Sequence, residues 1–520
     1  MINAVGRDIP DYLLKDGREV YQGKNYKDGE YFKKASPRVR KYEKPVENKL
    51  CASIREACEK CGAHDGMTFS FHTEFRDGDY VAAMVCRVLV EEMGLKDIHV
   101  AATSLGTAQD IFADYIEQGI IVEAQTSGVR GRIGEVISAG KLKNPAIIRS
   151  HGGRPRAVEA GEVHIDIAFL AASTSDCCGN AKGQGGKNNC GSMGFAMHDA
   201  HYADHTVIIT DTLVPFPNLP SSISCIDVDA VCVVDAIGDT KKIATKEARM
   251  TDNPRELMMA QNVANVIAAT PYFKDGFSFQ TGVGGPSLAV NRFLEEHMRE
   301  KNIKMSFALG GTSSAICALQ DKGLVEYILD TQDFDQGAAA HLFSNPHHIE
   351  IDLSEYANAS NKGAYVNKLD YVVLSALEID TKFNVNVITG SDGVLRGAPG
   401  GHPDTAAGSK CCIIVTPLVR GRMATVCKDV VTVTTPGDCV DVLVTDYGIA
   451  VNPLRQDIIE CLDKAGVKHV TIESLQEKAY SLVGEPDPLE WEDQVVAIVE
   501  ARDGTILDVV RKVKPFSFDN

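Results

Sequence analysis

The chain has 520 residues, of which 44% are hydrophobic, and its formal net charge at pH 7 is −18. This length and composition predict a globular protein of roughly two to four domains. No stretch approaches the roughly 18 consecutive apolar residues that cross a membrane, and no basic run is typical of a nucleic-acid surface, so we expect a soluble, cytoplasmic protein with neither kind of partner.

The 15 cysteines, an odd number, lie in apolar neighbourhoods rather than at regular spacings. This distribution favours reduced thiols. Cys58 and Cys61 form a single CxxC on a predicted helix, and a Gly- and Asn-rich loop carries only three further sulfurs, those of Cys177, Cys178 and Cys190. Because neither group offers a complete ligand set, packing is the favoured interpretation and we expect no metal site.

Three segments follow one another along the chain: a polar arm at residues 1–45, then residues 46–250, then residues 251–520. We expect the arm to pack on the body of the protein or on a neighbouring subunit. The other two segments repeat one another at a spacing of about 205 residues. Hydrophobic composition does not explain why loop residues also agree, so the repeat favours a duplication; the agreeing residues are Asp176 with Asp380 and Asn180 with Asn384.

Short apolar runs alternate with amphipathic stretches such as DYVAAMVCRVLVEEMG and PSLAVNRFLEEHMREKN. This alternation is typical of parallel strands joined by crossover helices. Each half is therefore predicted to be an α/β domain with a mainly parallel sheet flanked by helices. Ligands bind such sheets beyond the carboxyl ends of the strands, so we expect the site in a cleft between the two halves.

The segment FQTGVGGPSLAV places Gly282, Gly284, Gly285 and Pro286 between a predicted strand and a predicted helix. Such a loop brings main-chain N–H groups close to a ligand at a helix N-terminus. We predict that Gly284 and Gly285 donate to an oxyanion and that Gly282 and Pro286 line the substrate. A tight strand-to-helix turn that needs glycine for packing alone is the alternative.

This loop resembles the glycine loop of coenzyme A transferases, and VTDYGIAVNPLR is similar to their VTEYGIA segment. The segments SFHTEFRDGDYV, SGVRGRIGEVISAG, RSHGGRPRAVEAGE and GGHPDTAAGSKC resemble citrate lyase alpha subunits over nearly the whole chain. The resemblance implies two duplicated coenzyme A transferase-like domains. It also implies transfer of a carrier thioester from acetate to citrate, giving citryl carrier and acetate.

The same resemblance implies partners: a beta subunit that cleaves the citryl group and a gamma acyl-carrier subunit, in a complex where this chain is a homo-oligomer. The thioester belongs to a phosphoribosyl-dephospho-coenzyme A arm on the gamma subunit. We expect no cofactor bound by this chain itself.

Many coenzyme A transferases carry a glutamate nucleophile one strand beyond the glycine loop. Here that stretch reads FALGGTSSA, with Gly310, Gly311 and Thr312 where the glutamate would stand. We therefore expect direct transfer through a mixed anhydride, as the resemblance also implies.

Paired arginines beside glycines are candidate clamps for the carboxylates of citrate, since guanidinium presents a planar fork to a carboxylate. The candidates are predicted to lie in short loops; they are Arg130 and Arg132, Arg154 and Arg156, with Arg420 and Arg422 as a further pair. For each, a solvated surface arginine is the alternative.

Gly400, Gly401 and His402 form a second candidate contact with substrate, although His402 could instead cap a turn. The segment HTEF places His72 near a strand end, where a structural hydrogen bond is favoured over catalysis.

Two other functions stay open from the sequence. One is a coenzyme A transferase or hydrolase acting on another short acid, and the other is a non-catalytic assembly subunit.

Overall fold

A computed structural model describes residues 1–27, 44, 46–72, 74–243, 251–282 and 284–515. The strands are β1 Leu50–Cys51, β2 Thr68–Phe71, β3 Ile98–Ala102, β4 Ile121–Thr126, β5 Ala146–Ile148, β6 Ile167–Ala172, β7 Thr174–Ser175, β8 Ala181–Lys182, β9 His205–Thr210, β10 Ala230–Val233, β11 Phe277–Thr281, β12 Met305–Thr312, β13 Val325–Asp333, β14 His348–Glu350, β15 Tyr371–Leu374, β16 Glu378–Asp380, β17 Val385–Asn386, β18 Cys411–Val415, β19 Val419–Arg420, β20 Met423–Ala424, β21 Val426–Cys427, β22 Val442–Val444, β23 Ile449–Val451, β24 Trp491–Glu500 and β25 Ile506–Val513.

The helices connect these strands and cover the faces of the sheets. They are α1 Ile54–Lys60, α2 Val81–Arg87, α3 Ile111–Glu117, α4 Gly131–Ser138, α5 Gly153–Glu159, α6 Gly194–Tyr202, α7 Pro254–Ala269, α8 Gly285–Lys301, α9 Ser314–Asp321, α10 Gln336–Ser344, α11 Leu353–Ala357, α12 His402–Gly408, α13 Gln456–Ala465 and α14 Ile472–Val483. Within the residues that the structure describes, no helix combines the length and apolar character needed to cross a membrane.

Two large sheets organise the protein. The first has ten strands in the order β1-β10-β9-β6-β2-β3-β4-β5-β24-β25, and the second has eight in the order β14-β13-β12-β11-β15-β18-β22-β23. All neighbours are parallel except β24 with β25 and β22 with β23, which are antiparallel. The predicted α/β class with mainly parallel sheets is confirmed. We call the parts built on these sheets the first lobe and the second lobe.

Seven strands of each sheet follow the same spatial order. The run β5-β4-β3-β2-β6-β9-β10 in the first lobe corresponds to β14-β13-β12-β11-β15-β18-β22 in the second. The shared order supports the proposal of a duplication, which stays a prediction.

The two Asp–Asn pairs found in the sequence form the same turn in both lobes. In the first lobe, Asp176 Oδ2 accepts from Asn180 Nδ2 at 2.8 Å and its Oδ1 from the N–H of that residue at 3.1 Å. In the second lobe, Asp380 makes the equivalent bonds with Asn384 at 3.0 and 2.9 Å. An unpaired buried polar group costs roughly 1–3 kcal/mol, so each pair stabilises its strand-end loop.

The last strand pair belongs to the first sheet, although the sequence assigned all of residues 251–520 to the second domain. β24 runs parallel to β5, with Ala497 opposite Ala146. The apolar run of β24 is similar in composition to any buried strand, so its partner was not evident from local pattern. The other predicted domain boundaries stay predictions.

The described part of the N-terminal arm packs on this strand pair. Asn3 Nδ2 donates to the carbonyl of Leu507 at 2.6 Å, and the N–H of Tyr21 donates to the carbonyl of Ile506 at 2.9 Å. Residues 28–43 and 45 of the predicted arm lie outside the described residues.

All 15 cysteines are free, as the sequence predicted. Burial raises the pKa of both Cys58 and Cys61 to about 12, so these thiols stay protonated at neutral pH. Cys177 Sγ lies 3.9 Å from Cys178 Sγ, whereas Cys190 contacts the hydroxyl of Ser173 at 3.3 Å. These contacts support the packing interpretation.

Candidate active site

The glycine loop, residues 282–286, connects β11 to α8 at the carboxyl edge of the second sheet. The N–H of Gly282 donates to the carbonyl of Val373 on β15 at 2.8 Å. α8 begins at Gly285, with Gly284 as its N-cap residue and no side chain capping it. Because the first N–H groups of a helix have no partner within the helix, this half-buried turn supplies main-chain donors at the strand ends. Val283 lies outside the described residues.

The loop that follows β15 lies directly against the glycine loop. A Cβ on Gly284 would be 2.5 Å from Ser375 Oγ, so a side chain there would require the serine hydroxyl to move. Ser375 Oγ also lies 3.2 Å from Ser287 Oγ in the first turn of α8. The next carbonyl, that of Ala376, accepts from Arg420 Nη2 at 3.1 Å. Sequence reasoning missed Ser375, because nothing in its neighbours marks a strand-end serine as a site residue.

His402 holds this serine loop in place. Its Nε2 lies 3.0 Å from the carbonyl oxygen of Ser375, to which it donates, and its Nδ1 lies 2.7 Å from Thr435 Oγ1. Burial lowers the pKa of His402 to about 4, so the ring is neutral at physiological pH. Both ring nitrogens are therefore engaged within the protein.

The segment that carries Gly400 and Gly401 meets the first lobe along a line of main-chain bonds. The N–H of Val129 donates to the carbonyl of Gly397 at 3.0 Å, and the N–H of His151 donates to the carbonyl of Gly400 at 2.8 Å. We call this contact between residues 397–404 and residues 128–130 and 150–152 the seam. It brings Gly400 and His402 to the same region as the loop of Arg130.

A buried carboxylate, missed by sequence reasoning, closes the seam. Asp404 accepts from Ser150 Oγ and from the N–H of Gly152, both at 2.8 Å. Burial raises the pKa of Asp404 to about 6, although Arg502 and the two donors oppose that rise. A Cβ on Gly152 would lie 2.2 Å from the carbonyl oxygen of Ala357, so the lobes approach closely here.

The two arginines of GVRGR have different surroundings. Arg130 immediately precedes α4 and is exposed. Burial, with smaller effects of Arg130 and Arg154, lowers the pKa of His151 in the seam to about 4. Arg132 lies within α4 and forms ion pairs with Asp114 at 2.6 Å and Glu117 at 2.7 Å. The prediction that both lie in a short loop is wrong for Arg132.

Arg154 and Arg156 lie within α5 rather than in the predicted loop, and both are buried. Arg154 pairs with Asp199 at 2.5 Å. Arg156 binds both oxygens of Glu162, at 2.7 and 2.6 Å. The guanidinium groups of both arginines therefore already bind carboxylates of the protein. The local signal, glycine followed by proline, did not distinguish a loop from a helix with proline in its first turn.

His72 belongs to the same buried network. Its Nε2 lies 3.0 Å from Asp199 Oδ2, and Ser70 Oγ also donates to that oxygen. Although burial alone would raise it, Arg154 and His72 hold the pKa of Asp199 well below its usual range. The geometry supports the structural role that the sequence favoured for His72.

The stretch that stands in place of the glutamate nucleophile of coenzyme A transferases, Gly310 to Thr312, forms the end of β12. Gly310 has φ +104, and a Cβ on Gly311 would lie 1.9 Å from the ring of Phe334. A side chain at Gly311 would therefore require the ring of Phe334 to move. A small hollow opens beside it at the ends of β11 and β12, lined by Gln280, Thr281, Leu309, Gly311, Thr312 and Ile316.

Glu74 in the HTEF segment is the other acidic group of interest. It is 1% exposed, and neither carboxyl oxygen has a hydrogen-bond partner among the described residues. Burial and the nearby Asp79 and Glu350 raise its pKa well above the usual value. The raised pKa disfavours a negative charge at this position.

Comparison with known proteins gives a consistent result. Residues 47–513 match the family model described as citrate lyase, alpha subunit. The chain is 52% identical to the citrate lyase alpha chain of Escherichia coli over 472 residues, covering 91% of this chain and 92% of that protein. It is 48% identical to the citrate lyase alpha chain of Klebsiella pneumoniae over 503 residues, covering 97% of each.

Solved structures agree with the sequence comparison. The fold matches a crystal structure from Streptococcus mutans, described as an alpha subunit of citrate lyase in complex with citrate, with a TM-score of 0.95 and 50% identity, covering 99% of this chain and 100% of that one. A malonate decarboxylase alpha subunit from Acinetobacter baumannii matches with a TM-score of 0.61 and 16% identity, covering 82% of this chain and 86% of that one, which shows a common fold alone.

His402→Gln is expected to weaken the acid sensitivity of the fold. The folded-state pKa of about 4 lies below the ordinary value of 6.5, so the unfolded chain takes up a proton that the folded chain does not, and stability is lost as pH falls through that window. Urea unfolding at a series of pH values should show that the variant loses about 1–3 kcal/mol less than the parent between those limits. The exposed His64→Gln is the control, and an unchanged slope for His402→Gln would contradict this assignment.

Proposed function

The chain belongs to the citrate lyase alpha-subunit family, the transferase component of that enzyme, and on this premise we propose how its residues exchange acetate for citrate on the carrier thioester. The observation that carries the proposal is the whole-chain match to a structure that holds citrate. The glycine loop beside the seam supplies the chemistry that such an exchange needs.

We further propose that the thioester arrives on a gamma acyl-carrier subunit, through its phosphoribosyl-dephospho-coenzyme A arm, and that a beta subunit cleaves the citryl product. The chain would bind no cofactor of its own and would act as a homo-oligomer in a cytoplasmic complex. Membership of the citrate lyase family supports this assembly.

The exchange proceeds by two acyl transfers. A citrate carboxylate attacks the acetyl thioester carbonyl, the carbon–sulfur bond breaks, and the products are a mixed acetyl–citryl anhydride and the carrier thiolate. The thiolate then attacks the citryl carbonyl and acetate leaves, which gives citryl carrier. No net proton transfer is needed, so the protein has to position the reactants, exclude water and stabilise the two oxyanions.

The main chain of the glycine loop is our candidate for that stabilisation. Gly284 and Gly285 stand at an N-terminus that no side chain caps, with Gly282 and Pro286 on either side. Loss of one oxyanion donor costs about 2.7–4 kcal/mol in comparable sites. Direct transfer is supported because Gly310, Gly311 and Thr312 stand where coenzyme A transferases carry the glutamate nucleophile, so this stretch supplies no carboxylate.

Among the predicted citrate clamps, Arg130 is the strongest candidate. Arg132, Arg154 and Arg156 are each paired with acidic side chains, whereas within the described ranges no carboxylate pairs with the exposed Arg130. It stands beside His151 at the seam, so an anion bound there would meet a free guanidinium fork. His402, Gly400 and Gly401 then act by shaping the second-lobe wall of the same region.

Two other functions make different predictions in one assay. Acetate release is measured with citrate and isolated acetylated carrier, and separately with acetyl-coenzyme A and other short acids as acceptors. A preference for the second pair would favour a general coenzyme A transferase, and no activity by the purified chain would favour an assembly subunit.

Gly284→Val is expected to abolish the exchange while the protein remains folded. The backbone of Gly284 has an ordinary φ of −70, so the new side chain strains the contact with Ser375 rather than the main chain. Acetate release should fall by about 100-fold or more, the loss expected for an oxyanion donor, with an unchanged circular dichroism spectrum. Gly363→Val is the matched control away from the loop, and full turnover by Gly284→Val would remove the loop from the site.

Direct transfer predicts that no acyl-enzyme accumulates. The acetylated carrier is incubated with the chain, trapped with hydroxylamine or borohydride, and the digest is mapped by mass spectrometry. Every glutamate, including the buried Glu74, should be unmodified. A hydroxamate or reduced side chain at any glutamate would replace this mechanism with a covalent one.

Arg130→Gln is expected to raise the KM for citrate by about 10-fold to 100-fold, the loss of a hydrogen bond to a charged group of about 1.5–3 kcal/mol. The KM for the acetylated carrier should change little. Arg132→Gln is the matched control two residues away, and equal effects of the two substitutions would argue against a clamp at Arg130.

A further inference from the structure

Three side chains that the exchange reaction does not use converge in the second lobe, away from the glycine loop. They are Cys317 in α9, His341 in α10 and His348 at the start of β14. One sulfur and two ring nitrogens of this group lie within 4.8 Å of one another. The prediction from sequence that no metal binds considered only cysteine groups, so it did not include this combination of one cysteine and two histidines.

The Nδ1 atoms of the two imidazoles face each other. His341 Nδ1 lies 3.0 Å from His348 Nδ1. In a tetrahedral zinc site, with metal–nitrogen bonds of about 2.0–2.1 Å, two nitrogen ligands stand about 3.3 Å apart. A shift of a few tenths of an ångström would therefore convert this contact into two ligands of one ion.

The opposite nitrogen of each ring lies beside a carboxylate. His348 Nε2 lies 3.2 Å from Asp330 Oδ2, and His341 Nε2 lies 3.3 Å from Asp321 Oδ1. Carboxylates in this position are typical of metal-binding histidines, because they fix the tautomer that leaves the other nitrogen free to bind the ion. The Nδ1 lone pairs would then converge on the space beside Cys317.

The burial of these side chains is compatible with a bound ion that can enter from solvent. Cys317 and His348 are each 4% exposed, whereas the His341 side chain is 10% exposed and its partner Asp321 is 67% exposed. The sulfur and one imidazole are shielded from water, while the second imidazole reaches the surface. Such a site can load metal after folding.

We propose that Cys317, His341 and His348 form a binding site for a borderline divalent transition metal such as zinc, with water as the fourth ligand. The sulfur and nitrogen donors favour zinc over magnesium or calcium, which prefer oxygen ligands. The ion would tie α9 and α10 to the edge strand β14, behind the contact between Glu350 and the N–H of Met193 in the first lobe, at 2.5 Å.

A metal-free arrangement competes with this proposal. Asn345 Nδ2 also lies 3.3 Å from His341 Nε2. If it donates there, His341 Nδ1–H can donate to His348 Nδ1, and a proton takes the place of the ion. The two occupants differ in metal content and in spectrum, so they can be separated by experiment.

The test loads the purified full chain with Zn²⁺ or Co²⁺, removes excess ion and measures bound metal by mass spectrometry. We expect one equivalent of zinc, and cobalt should give the visible bands of a tetrahedral site with a sulfur-to-metal band in the near ultraviolet. Cys317→Ser should remove the sulfur-to-metal band. His341→Ala should remove the bound equivalent of metal. Cys439→Ser, an equally buried thiol, is the matched control and should keep both.

Asp321→Asn tests the site without disturbing the core, because Asp321 is on the surface. Loss of this outer contact should lower zinc affinity about 10-fold to 100-fold. No bound zinc in the parent, or zinc and cobalt binding that is the same in Cys317→Ser, His341→Ala and Asp321→Asn, would overturn the proposal and leave the proton-sharing pair as the occupant.

Discussion

Carboxylates of the second lobe accept hydrogen bonds from the first lobe and so help to hold the two halves of this protein together. Asp404 accepts from Ser150 and Gly152, and Glu350 accepts from Met193 and Ser222. Burial raises the pKa of both acids, so each ionised carboxylate depends on its donors from the other lobe. Together with the main-chain bonds of the seam, these contacts position the glycine loop relative to Arg130.

This acidic protein also has to bind an anionic substrate. With a net charge of −18, the overall field opposes citrate, and the opposition has to be offset locally. Burial raises the pKa of Glu74 and so disfavours a negative charge there. The strand-end donors of the glycine loop carry partial positive charge without a side chain. In the proposed reaction, Arg130 adds the full charge that these groups lack.

Much of the framework could be predicted from the sequence because it is local. The alternation of short apolar runs with amphipathic stretches predicted parallel sheets, and the repeated Asp–Asn pairs marked turns that the structure shows to be equivalent. The glycines at residues 282–286 predicted a close approach, which Ser375 accounts for. These features depend on neighbouring residues and on backbone geometry.

What could not be predicted depends on partners distant in the chain. Nothing near Arg154 in sequence indicates that Asp199 pairs with it, and a Gly-Arg-Pro-Arg run is compatible with a loop or with a helix start. Asp404 lies in a segment singled out for its glycines and histidine, yet its role depends on Ser150, far away in sequence. The pairing of β24 with β5 is likewise a choice among many equally apolar edges.

That last pairing changes the mechanics of the molecule. Since the chain leaves the first lobe before α7 and returns to it with β24, the second lobe is joined to its neighbour by two covalent strands rather than one. Two covalent connections allow the second lobe to rotate about the axis through them, but they restrict its rotation about other axes. The pairing of β24 with β5 therefore limits the relative orientations that the two lobes can adopt.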